Sequence, residues 1–573
     1  MSTQDKGLSR RTHKREGPCL IAYLWAVPPM ILLFLYRIVP FISGLSLPFA
    51  QSASAMGTGP RIWVGMNNFR ELFNSFSFSK VLGNTIILKL EYILLCSFLA
   101  LLLVLVLGST QSKFWQRFFS AAFLFPYFIP TAVISYLILY TMGNAGMFFT
   151  FSMESMTDPR IFRLIYPVLE VIKNLGIPII IALGAINAKR ESGQGTGGFI
   201  HMQLLPALKA IGLFVLIELS ALLSSDFELL TIFHNPEAYG AADVIDTFTY
   251  RNGIVNMDTG VASSAWLVKF LIQTVISILI FLGIRKFSVQ NIFTRHGSKN
   301  NKGGRLGSFV VVIAGLFILE IYLLLTAGPM AVSAVETFKG SAGALNGLKD
   351  ASSALIPALS YKSIIGHLLL ISLAVVINAI VTILLTYPLT VKDLPGRLLY
   401  SVSLIFILNI GVGGIHEFLF FKGRGIFGTV FPYIITGSFT LINVFVLRAV
   451  YNARYKDAKE EAAKGAKGEM SSFFKGFLPR VIKPVLGLSA LQYAIMWNSY
   501  YPRQLMYISD PAKFSPVMTF RNLVLGGQAE IYEFLTPEII KLAAMVSIPG
   551  IIILLLLMIF GGEELFASQI RKS

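Results

Sequence analysis

Long apolar segments recur along the whole chain, and short polar or charged segments separate them. Most of the apolar segments approach the roughly 20 residues that an α-helix needs to cross about 30 Å of hydrocarbon. The pattern therefore predicts an all-α polytopic membrane protein with about twelve transmembrane helices. The predicted spans are Cys19–Tyr36, Ile86–Leu107, Phe118–Tyr140, Tyr166–Ile186, Ala207–Leu223, Ala265–Ile284, Phe309–Thr326, Ile364–Leu385, Leu398–Phe418, Ile426–Leu447, Val481–Met496 and Ile539–Phe560.

Composition agrees with this pattern. Of the 573 residues, 55% are hydrophobic and only 14% are charged, and the mean hydropathy is +0.69. In a soluble domain about a quarter of the residues are charged, so lipid is the expected solvent for much of this chain.

The net charge of +18 is distributed in a way that favours a membrane surface over nucleic acid. Basic residues cluster in every second loop, whereas the intervening loop from Asp226 to Asp258 is acidic. Under the positive-inside rule, this alternation predicts that both termini are cytoplasmic. The first apolar run is too long for a cleavable signal peptide and lacks a small-residue cleavage site, which favours an uncleaved first span.

The chain has the pattern of two parallel repeats. A basic, Gly/Ser/Asn-rich segment near the middle has no helical periodicity and is typical of a linker. Six predicted spans lie on each side, and in each half a Leu-Pro pair, ending at Pro206 or Pro479, opens the fifth span. We predict a cytoplasmic tail at 1–17, a first six-helix domain at 18–286, a linker at 287–306 and a second six-helix domain at 307–573. Parallel repeats suit a substrate path at their interface.

The stretch KEEAAKGAKGEMSSFFKGFLPRV, from Lys459 to Val481, is charged and Ala/Gly-rich although it lies between two apolar spans. An ordinary solvated loop is the simplest interpretation. Its Glu/Ala/Lys run favours a short helix with a glycine turn, and its proline is suited to the first turn of the next span. Such a helix would bury little within its own chain, which indicates contact with a partner.

This stretch resembles the EAA loop of binding-protein-dependent ABC importer permeases, with Glu-Ala-Ala, Gly-Ala and then Leu-Pro. Other segments resemble the oligosaccharide branch of the maltose-type permeases, namely WVGMNNFRELF (Trp63–Phe73), LGNTIILK (Leu82–Lys89), TYPLTVKDLPGR (Thr386–Arg397) and MWNSYYPRQLMYISD (Met496–Asp510). The first half resembles one member of a permease pair and the second half the other, which implies that two permeases are fused in one chain.

The resemblance implies two coupling helices that dock onto two ATPase subunits. The residues that it assigns to docking are Asn187, Gly193, Leu205 and Pro206 in the first loop, and Glu460, Glu461, Ala462, Ala463, Gly465, Ala466, Leu478 and Pro479 in the second. In the first loop Asn187 stands where the family has Glu, and fewer residues lead in. This departure predicts a shorter first coupling helix or a different docking.

Ionisable residues inside apolar spans are candidates for function, although each is about as well explained by a salt bridge between packed helices. Aromatic rings stack on the C–H faces of sugars, while amides and carboxylates satisfy sugar hydroxyls. On this basis the candidate residues of a substrate path are Trp497, Asn498, Tyr500, Tyr501, His416, Glu417, Tyr127 and Glu218.

The predicted function is the permease of an ATP-driven importer that carries a carbohydrate, with an oligosaccharide preferred, from an extracellular solute-binding protein through the plasma membrane. No Gly-Lys-Ser/Thr tripeptide of a P-loop occurs, so ATP and Mg²⁺ are expected on the partner ATPases. We expect no catalytic residue, metal or cofactor in this chain. The main alternative is an ion-coupled secondary transporter with Glu91, Glu218 or His416 as proton carrier; a membrane-embedded enzyme is a weaker one.

Overall fold

The computed structural model describes residues 20–52, 60–110, 113–143, 158–191, 198–233, 239–286, 316, 361–391, 394–411, 414–454, 469–499, 514–525 and 537–560. In the first half the helices are α1 (Val27–Leu33), α2 (Val39–Gly44), α3 (Asn67–Asn74), α4 (Phe76–Ser109), α5 (Lys113–Phe128), α6 (Thr131–Gly143), α7 (Pro159–Asn174), α8 (Gly176–Glu191), α9 (Leu205–Ser220), α10 (Phe227–Phe233), α11 (Tyr239–Ala242), α12 (Ile245–Tyr250) and α13 (Thr259–Lys286).

In the second half the helices are α14 (Tyr361–Thr390), α15 (Arg397–Ile410), α16 (Ile415–Gly423), α17 (Phe431–Gly437), α18 (Ile442–Arg454), α19 (Glu469–Ser471), α20 (Leu478–Asn498), α21 (Pro516–Leu525) and α22 (Pro537–Phe560). Turns of 3₁₀ helix at Leu20–Ala26 and Leu47–Phe49 and a π turn at Phe34–Ile38 complete the first span. Strands β1 (Ala50–Ser52) and β2 (Arg61–Trp63) form a small antiparallel ribbon, with Ala50 opposite Trp63.

The prediction of an all-α polytopic membrane protein is confirmed. Within the described residues, seven helices are long and apolar enough to cross a membrane, and the number rises to ten if each bent helix pair counts as one span. Helix α20, with 21 residues, falls at the predicted eleventh span. The predicted span Phe309–Thr326 lies outside the described residues apart from Leu316.

Three of the predicted spans are broken by a sharp bend between two shorter helices. The α5–α6 pair bends by 93°, the α7–α8 pair by 51° and the α15–α16 pair by 80°. At the first break, Pro130 disfavours a helical conformation for the residue before it. At the third, Gly411 ends α15 with a φ of +74°, a conformation that favours glycine. Apolar composition does not reveal such bends.

The helices of each half pack in a similar order, and the last helix of each half packs against a helix of the other half. Helix α4 packs on α8 and α9, and α14 packs correspondingly on α18 and α20. Helix α13 crosses to α15 of the second half, while α22 crosses to α5 of the first. The first span also packs on α14. Because of these exchanges, the largest cluster of buried apolar side chains contains residues of both halves.

The crossing of α22 over α5 is very close. A Cβ atom placed on Gly550 of α22 would overlap the carbonyl oxygen of Phe128 at the end of α5. Small residues permit such backbone approaches in membranes, where van der Waals packing replaces the hydrophobic effect between helices. Gly550 therefore determines how closely the two halves meet at this crossing.

The two Leu-Pro helices begin in the same way. A π turn, Ile200–Leu204, precedes α9, and another, Ser472–Phe477, precedes α20. In both helices the proline occupies the first turn, as predicted. A proline ring clashes with the carbonyl four residues earlier in a regular α-helix, and the wider π turn relieves that clash while the chain stays helical.

Candidate functional site

A cavity of about 320 Å³ lies where the end of the first half meets the break between α15 and α16. Its walls combine aromatic rings with hydroxyl, amide and charged groups. The lining residues are Ser224, Ser225, Phe227, Asp246, Thr249, Tyr250, Ile254, Trp266, Lys269, Phe270, Gln273, Leu408, Asn409, Ile410, Gly411, Gly414 and Ile415.

Helix α13 supplies one wall through a single face. Trp266, Lys269, Phe270 and Gln273 line the cavity, and their spacing of three, four and seven residues places them one above another on the helix. The Trp266 ring stacks on the Phe270 ring, with centroids 5.7 Å apart and an angle of 19° between the planes. The wall therefore combines two largely buried aromatic side chains, 8% and 4% exposed, with a cation and an amide.

Asp246, the second residue of α12, connects this wall to the segment that follows α9. Its Oδ1 accepts a hydrogen bond from Lys269 Nζ at 2.5 Å, and its Oδ2 accepts from the backbone N–H and the hydroxyl of Ser225, both at 3.3 Å. The side chains of Lys269 and Asp246 are 16% and 25% exposed. The carboxylate and the ammonium thus form a partly buried pair at the cavity wall.

Uncharged polar groups complete the lining. Ser224 donates to Gln273 Oε1 at 3.3 Å, and Asn409 Oδ1 accepts from Ser277 at 3.2 Å. Thr249 Oγ1 is buried and has no hydrogen-bond partner among the described residues. An unpartnered buried hydroxyl carries a free-energy cost.

The break between α15 and α16 is held from behind by Arg37 of the first span. Its Nη1 donates to the Gly411 carbonyl at 2.6 Å and to Glu417 Oε1 at 3.3 Å, and its Nη2 donates to the Thr436 carbonyl at 3.2 Å. Arg37 and Glu417 are 4% and 2% exposed. A buried ion pair between the first span and α16 therefore fixes the backbone that forms the cavity's second-half wall.

Two of the predicted substrate-path residues lie next to this cavity. The His416 ring lies 4.2 Å from the Trp266 ring, centroid to centroid, and Glu417 pairs with Arg37. His416 Nδ1 is buried without a hydrogen-bond partner in the described part of the chain. Neither residue lines the cavity itself. His416 contacts the lining residue Trp266, and Glu417 is connected to the lining residue Gly411 through Arg37.

The other predicted substrate-path residues lie elsewhere. Trp497 is 1% exposed and donates its indole N–H to the Val546 carbonyl at 2.8 Å, and Asn498 donates to the carbonyl of Tyr127 at 3.0 Å. Glu218 accepts from Lys89 at 2.6 Å. The four predicted residues Trp497, Asn498, Tyr127 and Glu218 do not line the cavity, so their place along a path stays a prediction. Tyr500 and Tyr501 lie outside the described residues.

Sequence reasoning missed the charged pair of the cavity. Lys269 lies inside the predicted span Ala265–Ile284 and meets the same criterion, a charge within an apolar span, that selected other residues. That signal was available. Asp246 and Asn409 carried no such signal, because Asp246 lies in a loop with other acidic residues and Asn409, although inside a predicted span, has no charge.

The predicted docking residues are only partly described. Asn187, near the end of α8, donates to Gln116 Oε1 at 2.9 Å. Leu205 is 40% exposed, Pro206 is buried, Leu478 is partly buried and Pro479 is exposed. Gly193, Glu460, Glu461, Ala462, Ala463, Gly465 and Ala466 lie outside the described residues.

The described ends of both loops expose large apolar side chains. In the first loop Phe199 and Ile200 are 54% and 61% exposed, and in the second Met470 and Phe474 are 65% and 52% exposed. Among the described residues, no group of three His, Cys, Asp or Glu side chains could hold a metal ion.

The chain is similar to known permease proteins over about half its length. It is 23% identical over 312 residues to Protein LplB of Bacillus subtilis, a match that covers 51% of this chain and 96% of the relative. It is 23% identical over 288 residues to the polygalacturonan/rhamnogalacturonan transport system permease protein YteP of the same organism, covering 47% of this chain and 89% of that protein. It is 28% identical to Protein LplC over 145 residues, 25% of this chain and 48% of the relative.

Among solved structures, a bacterial ABC transporter involved in the import of the acidic polysaccharide alginate matches 47% of this chain and 96% of its own, with 23% identity and a TM-score of 0.39. No protein-family model matches the chain. A relative matched over nearly its full length accounts for about half of the chain.

Proposed function

We propose that this chain is the permease of an ATP-driven importer that moves a carbohydrate, with an oligosaccharide preferred, across the plasma membrane. The observation that carries the proposal is the cavity beside α13. It combines the Trp266 and Phe270 rings with a carboxylate, an ammonium and uncharged hydrogen-bonding groups. Rings accept the apolar faces of a sugar, and the polar groups satisfy its hydroxyls. Similarity to permease proteins over half the chain supports the same function.

In this proposal the chain contains two fused permease domains, at 18–286 and 307–573, joined by the linker 287–306. The similar packing around α4 and α14 supports it. The two π turns before the Leu-Pro helices support it further, because the same local device occurs at the corresponding place in each half. The proposal also retains twelve spans and cytoplasmic termini, in keeping with the alternation of basic loops.

Two ATPase subunits dock at the loops before α9 and α20, and a solute-binding protein delivers the sugar outside. The exposed apolar side chains at the described ends of these loops, Phe199, Ile200, Met470 and Phe474, are suited to a protein contact. Because α9 and α20 follow the loops directly, a displacement of the docked loops moves each of these helices as a rigid body. ATP and Mg²⁺ are bound by the ATPases.

Two of the proton carriers that an ion-coupled transporter would use, Glu218 and His416, are described in the structure. Glu218, a proposed proton carrier, pairs with Lys89 at 2.6 Å, and His416 packs against Trp266. Both side chains are thus engaged in contacts within the protein, which favours the ATP-driven mechanism.

Purification of the tagged chain from its native membrane in mild detergent tests the function. We expect an ATPase to co-purify, and sugar uptake by vesicles that contain the complex to require ATP. The chain purified alone should neither bind nor hydrolyse ATP. Uptake that needs only a proton or sodium gradient, or ATP hydrolysis by this polypeptide alone, would contradict the proposal.

A further inference from the structure

The charges at the cavity wall neutralise each other. Asp246 and Lys269 are the charged side chains among the described residues that line the cavity, and they contact each other directly. A ligand carboxylate that accepts from Lys269 therefore also lies beside the Asp246 carboxylate, which repels it. A ligand that instead separated the pair would leave the other partner partly buried without a counter-charge, which is costly.

Two arginines near the cavity, Arg37 and Arg251, are also paired with carboxylates. Arg37 donates to Glu417 and to the Gly411 carbonyl, and Arg251 Nη2 is 2.6 Å from Asp243 Oδ2. The described surroundings of the cavity therefore offer a carboxylate no cation that lacks an acidic partner.

The pair remains open to uncharged hydroxyl groups. A hydroxyl both donates and accepts, so it can donate to Asp246 Oδ1, which accepts from Lys269, and accept from Lys269 without separating them. The amide of Gln273, which lines the cavity, adds a further uncharged site. The exposed parts of the Trp266 and Phe270 side chains offer apolar contact to the C–H groups of a sugar.

We propose that the cavity selects uncharged oligosaccharides and rejects oligosaccharides of uronic acids, and that the Asp246–Lys269 pair determines this choice. The inference rests on the proposed function, since it assigns the substrate class of the same cavity. A uronate would bring its carboxylate next to Asp246, and the resulting repulsion and desolvation act against it. The selectivity would differ from that of the transporter of the acidic polysaccharide alginate.

Equilibrium dialysis of the full-length chain in lipid nanodiscs tests the proposal. The probes are radiolabelled trisaccharides of neutral sugars (maltotriose, xylotriose and galactotriose) and trigalacturonate. We expect the best neutral trisaccharide to bind at least about tenfold more tightly than trigalacturonate, a ratio that corresponds to about 1.4 kcal/mol.

Substitution Asp246→Asn exposes the Lys269 charge and should shift this ratio toward trigalacturonate by about tenfold or more. The double variant Asp246→Asn/Lys269→Met should lose that gain. Asp226→Asn is the matched control, because it removes a carboxylate from the ion pair with Lys173, and neither of these residues lines the cavity. Its ratio should equal that of the natural chain. Lys269→Met alone, which leaves Asp246 unpaired, should disfavour trigalacturonate further.

The outcomes separate the two proposals. Tighter binding of trigalacturonate by the natural chain, or an unchanged ratio in Asp246→Asn, would overturn the selectivity and leave sugar transport intact. If no trisaccharide of either class binds, the cavity is not a sugar site, and the proposed function loses the observation that carries it. Because each result is a ratio within one variant, it does not depend on the folded fraction.

Discussion

Arg37 is the residue of the first span whose replacement should have the largest effect on stability. Its guanidinium pairs with Glu417 at 3.3 Å and also donates to the carbonyls of Gly411 and Thr436. Substitution Arg37→Met keeps much of the apolar volume but removes every one of these hydrogen bonds. The Glu417 carboxylate, 2% exposed, then stays buried without its counter-charge.

The expected cost follows from this geometry. Removal of one partner of a buried ion pair costs about 3–5 kcal/mol. Removal of both is far less costly, because apolar side chains of similar volume can replace a buried pair with little or no loss. We therefore expect Arg37→Met to lower the free energy of unfolding by about 3–5 kcal/mol, and Arg37→Met/Glu417→Met to restore most of it.

The assay is denaturant unfolding of the full-length chain in detergent micelles, with the single variants, the double variant and Arg70→Met as an exposed control. The double-mutant cycle gives the coupling energy between the two side chains. A coupling below about 0.5 kcal/mol, the limit of additivity for independent sites, would refute the argument that this pair holds the wall. Equal losses in Arg37→Met and in the double variant would do the same.

Two further predictions concern the contact between the halves and the contact with the ATPase. Gly550→Val should destabilise the chain by about 1–3 kcal/mol through overpacking against the carbonyl of Phe128. The control Gly212→Val, whose Cβ meets nothing within 4 Å, should cost little. Equal thermal stability of the two variants in detergent would argue against the close crossing. Replacement of Ala462 and Ala463 by Asp should abolish ATPase co-purification while membrane insertion stays normal, because unpaired charge in a close protein contact is costly. The same charges in the glycine-rich first loop should do less damage, and the reverse ranking would contradict this order.

Much of the fold follows from local sequence. The all-α membrane class depends on the length and apolarity of each segment, quantities that a window of residues contains in full. Pro206 and Pro479 begin their helices as predicted, because a proline restricts its own backbone and that of its neighbours. The π turns before them were not predicted, since their hydrogen bonds do not alter the apolar pattern.

The site depended on contacts between distant parts of the chain. Nothing in the sequence near Asp246 indicates that it meets Lys269, or that Gly411 closes the opposite wall. Those neighbours are determined by the bend between α15 and α16 and by the crossing of α13 onto the second half. The sequence by itself determined which segments are helical and apolar, because these properties are local. Only the tertiary structure decided which polar groups share a cavity, because a buried charge is tolerated where packing brings it a partner.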